Sequence, residues 1–180
     1  MKKLIILALL PFAVACNKSS DMTVAPDANR HAPSMKKAAT SVSFSTVANA
    51  SGITSNGKGI YNGSYTGANG LLNANGTMSE IVNVTWPSGS NGNGIANGTY
   101  TYSSQLIVSD ASGTLTLQLN GTWWFSGPAS AAGSGNWTVV SGTGGYAGVK
   151  GSGTMTIDEI LFNESGPYQT SDTYTGSLYY

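Results

Sequence analysis

Cys16, His31 and a thin scatter of charged residues carry nearly all the conventional reactive chemistry in this chain. It has one cysteine and one histidine in 180 residues, and both fall in the first 40. Beyond residue 40 the acids are Glu80, Asp110, Asp158, Glu159, Glu164 and Asp172, and the bases are Lys58 and Lys150. Hydrolysis by a carboxyl pair needs two such groups converging on one bond. Asp158 and Glu159 are sequence neighbours, so on a strand they face opposite sides and cannot pair. Glu80 is the only mid-strand carboxylate before them. A pair could assemble from separate strands, but nothing in the spacing points to one. A nucleophilic serine needs a base within hydrogen-bond reach, and the region after residue 40 has no histidine. Metal sites want histidine, cysteine or clustered carboxylates, and no such spacing is visible. The expectation is therefore no catalytic residue, no metal ligand and no cofactor.

Gly142-Thr143-Gly144-Gly145-Tyr146-Ala147 formally fits the G-x-G-x-x-A dinucleotide pattern. That pattern works only between a strand and a long helix in a βαβ unit. Here strand-like sequence, Gly151-Ser152-Gly153-Thr154-Met155-Thr156, follows at once. The glycines Gly142, Gly144, Gly145, Gly148 and Gly151, with Tyr146, are instead expected to form a structural corner. The aromatics are the remaining candidates for binding. Trp123 and Trp124 are adjacent, so one points in and one out. Trp86, Trp123, Trp124, Tyr100 and Tyr102 could meet a ligand, Trp86 and the outward member of the Trp123–Trp124 pair could stack on sugar rings, or all could simply pack across strands.

The setting of Cys16 suggests a different use for the thiol. Met1-Lys2-Lys3 is a basic start and Leu4 to Leu10 an apolar run, too short to span a bilayer but of the length of a secretory signal. Ala13-Val14-Ala15-Cys16 resembles a bacterial lipobox, with Ala13 where leucine is commoner. The resemblance implies lipid attachment to the Cys16 thiol, cleavage before it, and a membrane partner held through the acyl chains. With the cysteine used this way, none is left for a disulfide. Residues 1–15 are thus expected to be a lipoprotein signal peptide. Residues 16–40, polar and without period, read as a disordered tether. His31 lies in that tether and is expected to be inert.

The remaining 140 residues must position whatever chemistry there is. All 24 glycines, nine tyrosines and four tryptophans lie in them. They hold two basic residues against six acidic ones, a formal charge of −4, with no Lys/Arg cluster. A surface for phosphate backbones needs such a cluster, so no nucleic-acid partner is expected. Alternation sets in at Val42, Phe44 and Thr46. It continues through Lys58–Thr66, Gly76–Trp86, Asn97–Asp110, Gly113–Gly127, Gly133–Ser141, Val149–Phe162 and Tyr168–Tyr180, predicting about eight strands. Leu115, Leu117 and Leu119 form the clearest inward stripe. The run from Met155 to Phe162 is apolar on both faces near its end, so its inside is not fixed by pattern. Asn-Gly occurs eight times, and it is a strong hairpin signal. Asn62-Gly63 and Asn120-Gly121 sit inside strand-like runs and are expected to be bulges or bends. The fold class is all-β, an eight-stranded antiparallel β-barrel over residues 41–180. Closure would spare a weakly charged chain its exposed edges.

The run Gly133 to Met155, GSGNWTVVSGTGGYAGVKGSGTM at its heart, resembles the signature of the allene oxide cyclase/dirigent-like barrels. It is closest to a bacterial secreted branch of uncharacterised domains. Gly98-Thr99-Tyr100, Gly113-Thr114-Leu115 and Asp172-Thr173-Tyr174-Thr175-Gly176 agree in order. The resemblance implies a calycin-like barrel, with homo-oligomers among relatives. It carries over no catalytic residue. The functional expectation is a non-catalytic lipoprotein of the bacterial cell envelope. Its barrel would bind a small apolar ligand or serve a structural role. The alternatives are a cyclase or isomerase acting on an apolar substrate, and a glycan-binding surface protein.

Overall fold

The alternation that begins at Thr40 becomes strand at Thr40, because inward positions take Val42, Phe44 and Ala48 while Ser41 and Asn49 face water. The computed structural model describes residues 38–50, 57–85, 99–161 and 168–180. The expected signal peptide, Cys16 and His31, Trp86, Asn56, and the Asn-Gly pairs at 91, 93 and 97 lie outside the described residues. Eight strands follow in order: β1 Thr40–Ala50, β2 Lys58–Thr66, β3 Asn75–Thr85, β4 Thr99–Asp110, β5 Gly113–Gly127, β6 Ser130–Gly142, β7 Lys150–Leu161 and β8 Tyr168–Tyr179. Residue 40, placed at the end of the tether by sequence, is thus already strand.

Each strand pairs antiparallel with the next, and β1 also pairs with β8, from Thr40 opposite Leu178 to Ala50 opposite Tyr168. The sheet is a closed eight-stranded antiparallel barrel. Closure removes both free edges, which this Ser/Thr-rich outer face could not guard with charge. Some outer hydroxyls pair across strands, as Thr154 with Thr175 at 3.1 Å and Ser45 with Thr173 at 3.4 Å.

Asn62-Gly63 and Asn120-Gly121 are not bulges. The β1–β2 and β4–β5 registers run through both without a shift. Gly121 faces Gly135 across β5–β6, and a side chain there would strike the Ser134 carbonyl. These glycines let strands approach where a small barrel coils tightly. The register breaks lie elsewhere, one between Thr116 and Leu117 opposite Ser141 and Val139. Val140 is left without a partner on β5 and points to solvent, as the extra residue of a bulge does.

That bulge leads β6 into the glycine corner. A single 3-10 turn, Gly144–Tyr146, joins β6 to β7. Gly144 has φ +57° and Gly148 φ +81°, a region costly for residues with a Cβ. The corner clasps the β4–β5 turn: Gly145 N–H donates to the Ser112 carbonyl at 2.7 Å and Thr143 N–H to that of Thr114 at 2.9 Å. Tyr146 swings inward and is buried. Its hydroxyl and that of Tyr65 both donate to Oδ2 of Asp110, the latter at 2.6 Å. Burial alone would raise the Asp110 pKa, but the bonds from Tyr146, Tyr65 and Ser112 N–H together outweigh it and hold the carboxyl low. Burial first, and then the hydrogen bond to Asp110, push Tyr146 up to about 12. This end of the barrel is stoppered by the chain itself.

Above the stopper the middle is packed solid. Phe44 stacks on Tyr174 at 4.7 Å and meets Tyr65 edge-on at 6.0 Å. Leu106, Val108, Leu115, Leu117 and Leu119 fill the β4–β5 wall and are essentially inaccessible. The predicted leucine stripe therefore faces inward.

Candidate functional site

The packing gives way at the end where β1 hands on to β2, β3 to β4, β5 to β6 and β7 to β8. Here the inward positions of β3, β7 and β8 place Glu80, Glu159 and Asp172 inside the barrel, all buried. They arrive by simple period-2 logic. Glu80 continues the inward series of Met78, Val82 and Val84; Asp172 lies between Thr170 and Tyr174. Glu159 follows Met155 and Ile157, which settles the inside of β7 that its pattern left open, and Asp158 faces out.

Around these acids lies a cavity of about 30 Å³, walled by Tyr61, Tyr102, Trp123, Val82, Val84 and Ile157, with Thr170 beside Asp172. A water needs roughly 10–15 Å³ of such space, so the cavity admits a particle or two of that size. A bulky apolar molecule does not fit within it.

The three carboxyls differ in their partners. Glu159 is clamped: Tyr61 OH donates to Oε1 at 2.7 Å and Trp123 Nε1–H to Oε2 at 2.8 Å. Asp172 accepts from Thr170 Oγ1–H, and more distantly from Tyr174 OH at 3.4 Å. Glu80 has the Ser104 hydroxyl beside it, but that hydroxyl makes no hydrogen bond of sound geometry. Burial raises all three carboxyls. Glu80 is pushed up to about 7, by burial first and by the Glu159 charge, with Ser104 pulling back. Asp172 rises well above the ordinary range through burial and the charge on Glu80. Glu159 rises through burial, its two donors offsetting part of the effect. Tyr61, Tyr102 and Tyr174 are raised by burial and by these same acids, and so stay neutral hydroxyls.

No cation offsets this charge among the described residues. Lys58 and Lys150 are both on the surface. Nor is any set of three or more His, Cys, Asp or Glu side chains among the described residues placed to hold a metal ion.

No family model, no curated protein and no solved structure matches this chain. The site is therefore read from its own geometry.

Of the aromatics singled out by sequence, Tyr102 and Trp123 line the cavity and Tyr100 is buried behind it, edge-on to Phe125 at 6.0 Å and tilted against Trp123 at 5.5 Å. Trp124, as neighbour logic requires, is only part-buried on the other face. The glycine corner sits at the opposite end and touches none of this. Glu159 and Asp172 are the site residues that sequence reasoning missed. The signal that could have found Asp172 was its place in an alternating run ending on Tyr174 and Leu178.

Proposed function

We propose that the chain is a bacterial envelope lipoprotein, anchored through Cys16, whose barrel is a non-catalytic binding module. The observation that carries the binding reading is the acid-lined cavity at one end of a barrel otherwise packed or stoppered throughout. Three buried carboxyls with no cation beside them among the described residues are costly to fold around, and a ligand offers a reason to keep them. The lining narrows the ligand class from purely apolar to a small molecule with a polar or charged group. The anchoring part rests on the sequence Ala13-Val14-Ala15-Cys16. Kinship with the allene oxide cyclase/dirigent-like barrels is part of the same proposal, supported by the glycine-corner sequence and the eight-strand antiparallel order.

The test is native mass spectrometry of protein released gently from membranes. A small bound mass is expected, absent when Val84→Phe fills the cavity. A wild-type protein that carries no adduct, and melts at the same temperature with and without a cell extract of small molecules, would count against binding.

A second reading is favoured by one specific feature. A carboxyl held near pH 7 in a partly apolar cavity, as Glu80 is, suits proton transfer at neutral pH. An isomerase would convert the ligand recovered above, and a binding module would return it unchanged.

A further inference from the structure

The walls of the cavity suit one kind of ligand. Glu80, Glu159 and Asp172 bring carboxylates into it, and the charge each acquires on ionising is felt by the others. Two buried hydroxyls near the group make no hydrogen bond of sound geometry: Ser104 beside Glu80, and Thr46, which lies beside Tyr174 and opposite Asp172 across the β1–β8 ladder. Leaving such groups unsatisfied is expensive. Once Glu80 ionises, the ligand that suits these walls is positive, donates several hydrogen bonds, and fits about 30 Å³. Water satisfies hydroxyls but cancels no charge. The acids are not placed as a metal-ligating set among the described residues. An ammonium group meets each condition, with three N–H donors and a full charge. Its remaining walls here are aromatic, Tyr61, Tyr102 and Trp123, and ring faces attract such cations.

We propose that the cavity is a binding site for the ammonium head of a small primary amine, with Glu80 as its ion-pair partner. This rests on the binding-module reading and names its ligand class. Glu159 is already committed, because Tyr61 and Trp123 hold each of its oxygens. Asp172 is committed as well, engaged by Thr170. Glu80, without a donor of sound geometry among the described residues, is the carboxylate left to meet the ligand.

The experiment is calorimetric titration of the full-length protein in detergent with methylammonium chloride, alongside potassium chloride and methanol. Methanol has nearly the shape of methylammonium but no charge. Saturable one-to-one binding of methylammonium alone is expected. Its affinity should fall by about tenfold per pH unit below pH 7, because Glu80 must lose its proton to pair with the cation. Glu80→Gln should weaken binding by about tenfold or more while the barrel still melts cooperatively. Should that variant fail to fold, the pH dependence of the wild type decides alone. Equal binding of methanol would overturn the amine proposal and leave the binding module standing. Equal binding of potassium would also overturn it, in favour of an inorganic cation. Affinity unchanged between pH 5 and 8 would remove Glu80 from the site. Binding of none of the three, with no adduct on the native protein, would overturn both readings.

Discussion

Tyr61 on β2 donates to Glu159 on β7 at 2.7 Å, across strands three steps apart around the barrel. The bond crosses the interior and joins residues 98 apart in sequence. Together with Trp123 it holds a buried carboxylate in one place. Tyr61→Phe removes the donor and leaves the acceptor. The expected cost is about 1–3 kcal/mol in urea unfolding. Burial raises the Glu159 pKa and so favours its neutral form as pH falls, and a neutral carboxyl needs the donor less, so the loss should shrink toward acid pH. A loss that stays the same from pH 8 to pH 5 would mean that the bond does not depend on the charge of Glu159.

Stability should fall as pH rises from 5 to 8. The folded pKa of Glu80 is raised from 4.5 to about 7, so the folded state holds its proton more tightly than the unfolded chain. That contribution is complete below the unfolded value and is lost as pH climbs through the folded one. For Glu80 alone it is on the order of 3 kcal/mol, and Asp172 acts in the same direction. Asp110 has the opposite sign: its lowered pKa adds stability that is lost only in strong acid. Chemical denaturation across pH should therefore show greatest stability on the acid side of neutrality. Glu80→Gln should flatten the decline toward pH 8. A curve that rises between pH 5 and 8 would contradict the burial of these acids.

Pattern alone found the strands and missed the site, and β7 shows why. Alternation locates an inside only when one face is apolar and the other polar. β2 and β5 have that contrast, and their expected ends, Lys58–Thr66 and Gly113–Gly127, match the strands. In β7, Ile157 is half-buried while Ile160 is 52% exposed, so apolar residues mark both faces. Only the β6 and β8 pairings decide that Glu159 points in. Three acids on β3, β7 and β8 meet because the sheet closes, and closure leaves no local trace at any one of them. The corner was legible for the converse reason. Its glycines answer to nearby backbone, a local demand that a short run of sequence can express.

Two corner glycines should differ in their tolerance of a side chain. Both have positive φ, which costs an ordinary residue about 1–2 kcal/mol. At Gly148 nothing lies within 4 Å of an added Cβ, so Gly148→Ala should cost only that. At Gly144 the Cβ would sit 2.3 Å from the Ser112 carbonyl oxygen, which also accepts from Gly145 N–H. Gly144→Ala should therefore destabilise by roughly twice as much or more, read as a larger fall in Tm. Equal falls would show that the clasp on the β4–β5 turn yields freely.

The proposed anchor can be tested apart from the barrel. Cys16→Ser leaves residues 38–180 untouched in sequence. It should move the protein from the membrane fraction to the soluble one and abolish labelling by radioactive palmitate. A variant that still labels and still sediments with membranes would exclude thioether lipidation at Cys16.

Trp137 offers the sharpest test of the barrel's tight wall. The indole lies across β7 and β8, where Gly153 and Gly176 face each other. Its Nε1–H is shared between the carbonyls of Thr154 at 3.1 Å and Thr175 at 3.2 Å. An added Cβ would come within 2.6 Å of the ring at Gly153 and 2.4 Å at Gly176. The same Cβ would meet the Thr175 carbonyl from Gly153 and the Ser152 carbonyl from Gly176, so the ring cannot relieve the clash by moving alone. Gly153→Ala should cost about 1–3 kcal/mol, as overpacking does. Trimming the ring instead, in Trp137→Phe, removes the two-carbonyl bond and opens a void. In the double variant the smaller ring relieves its own part of the clash, while the contact with the Thr175 carbonyl remains. Its loss should be smaller than the sum of the two single losses by more than about 0.5 kcal/mol, the sign of residues in contact. Strict additivity would mean that the indole does not lie over these glycines.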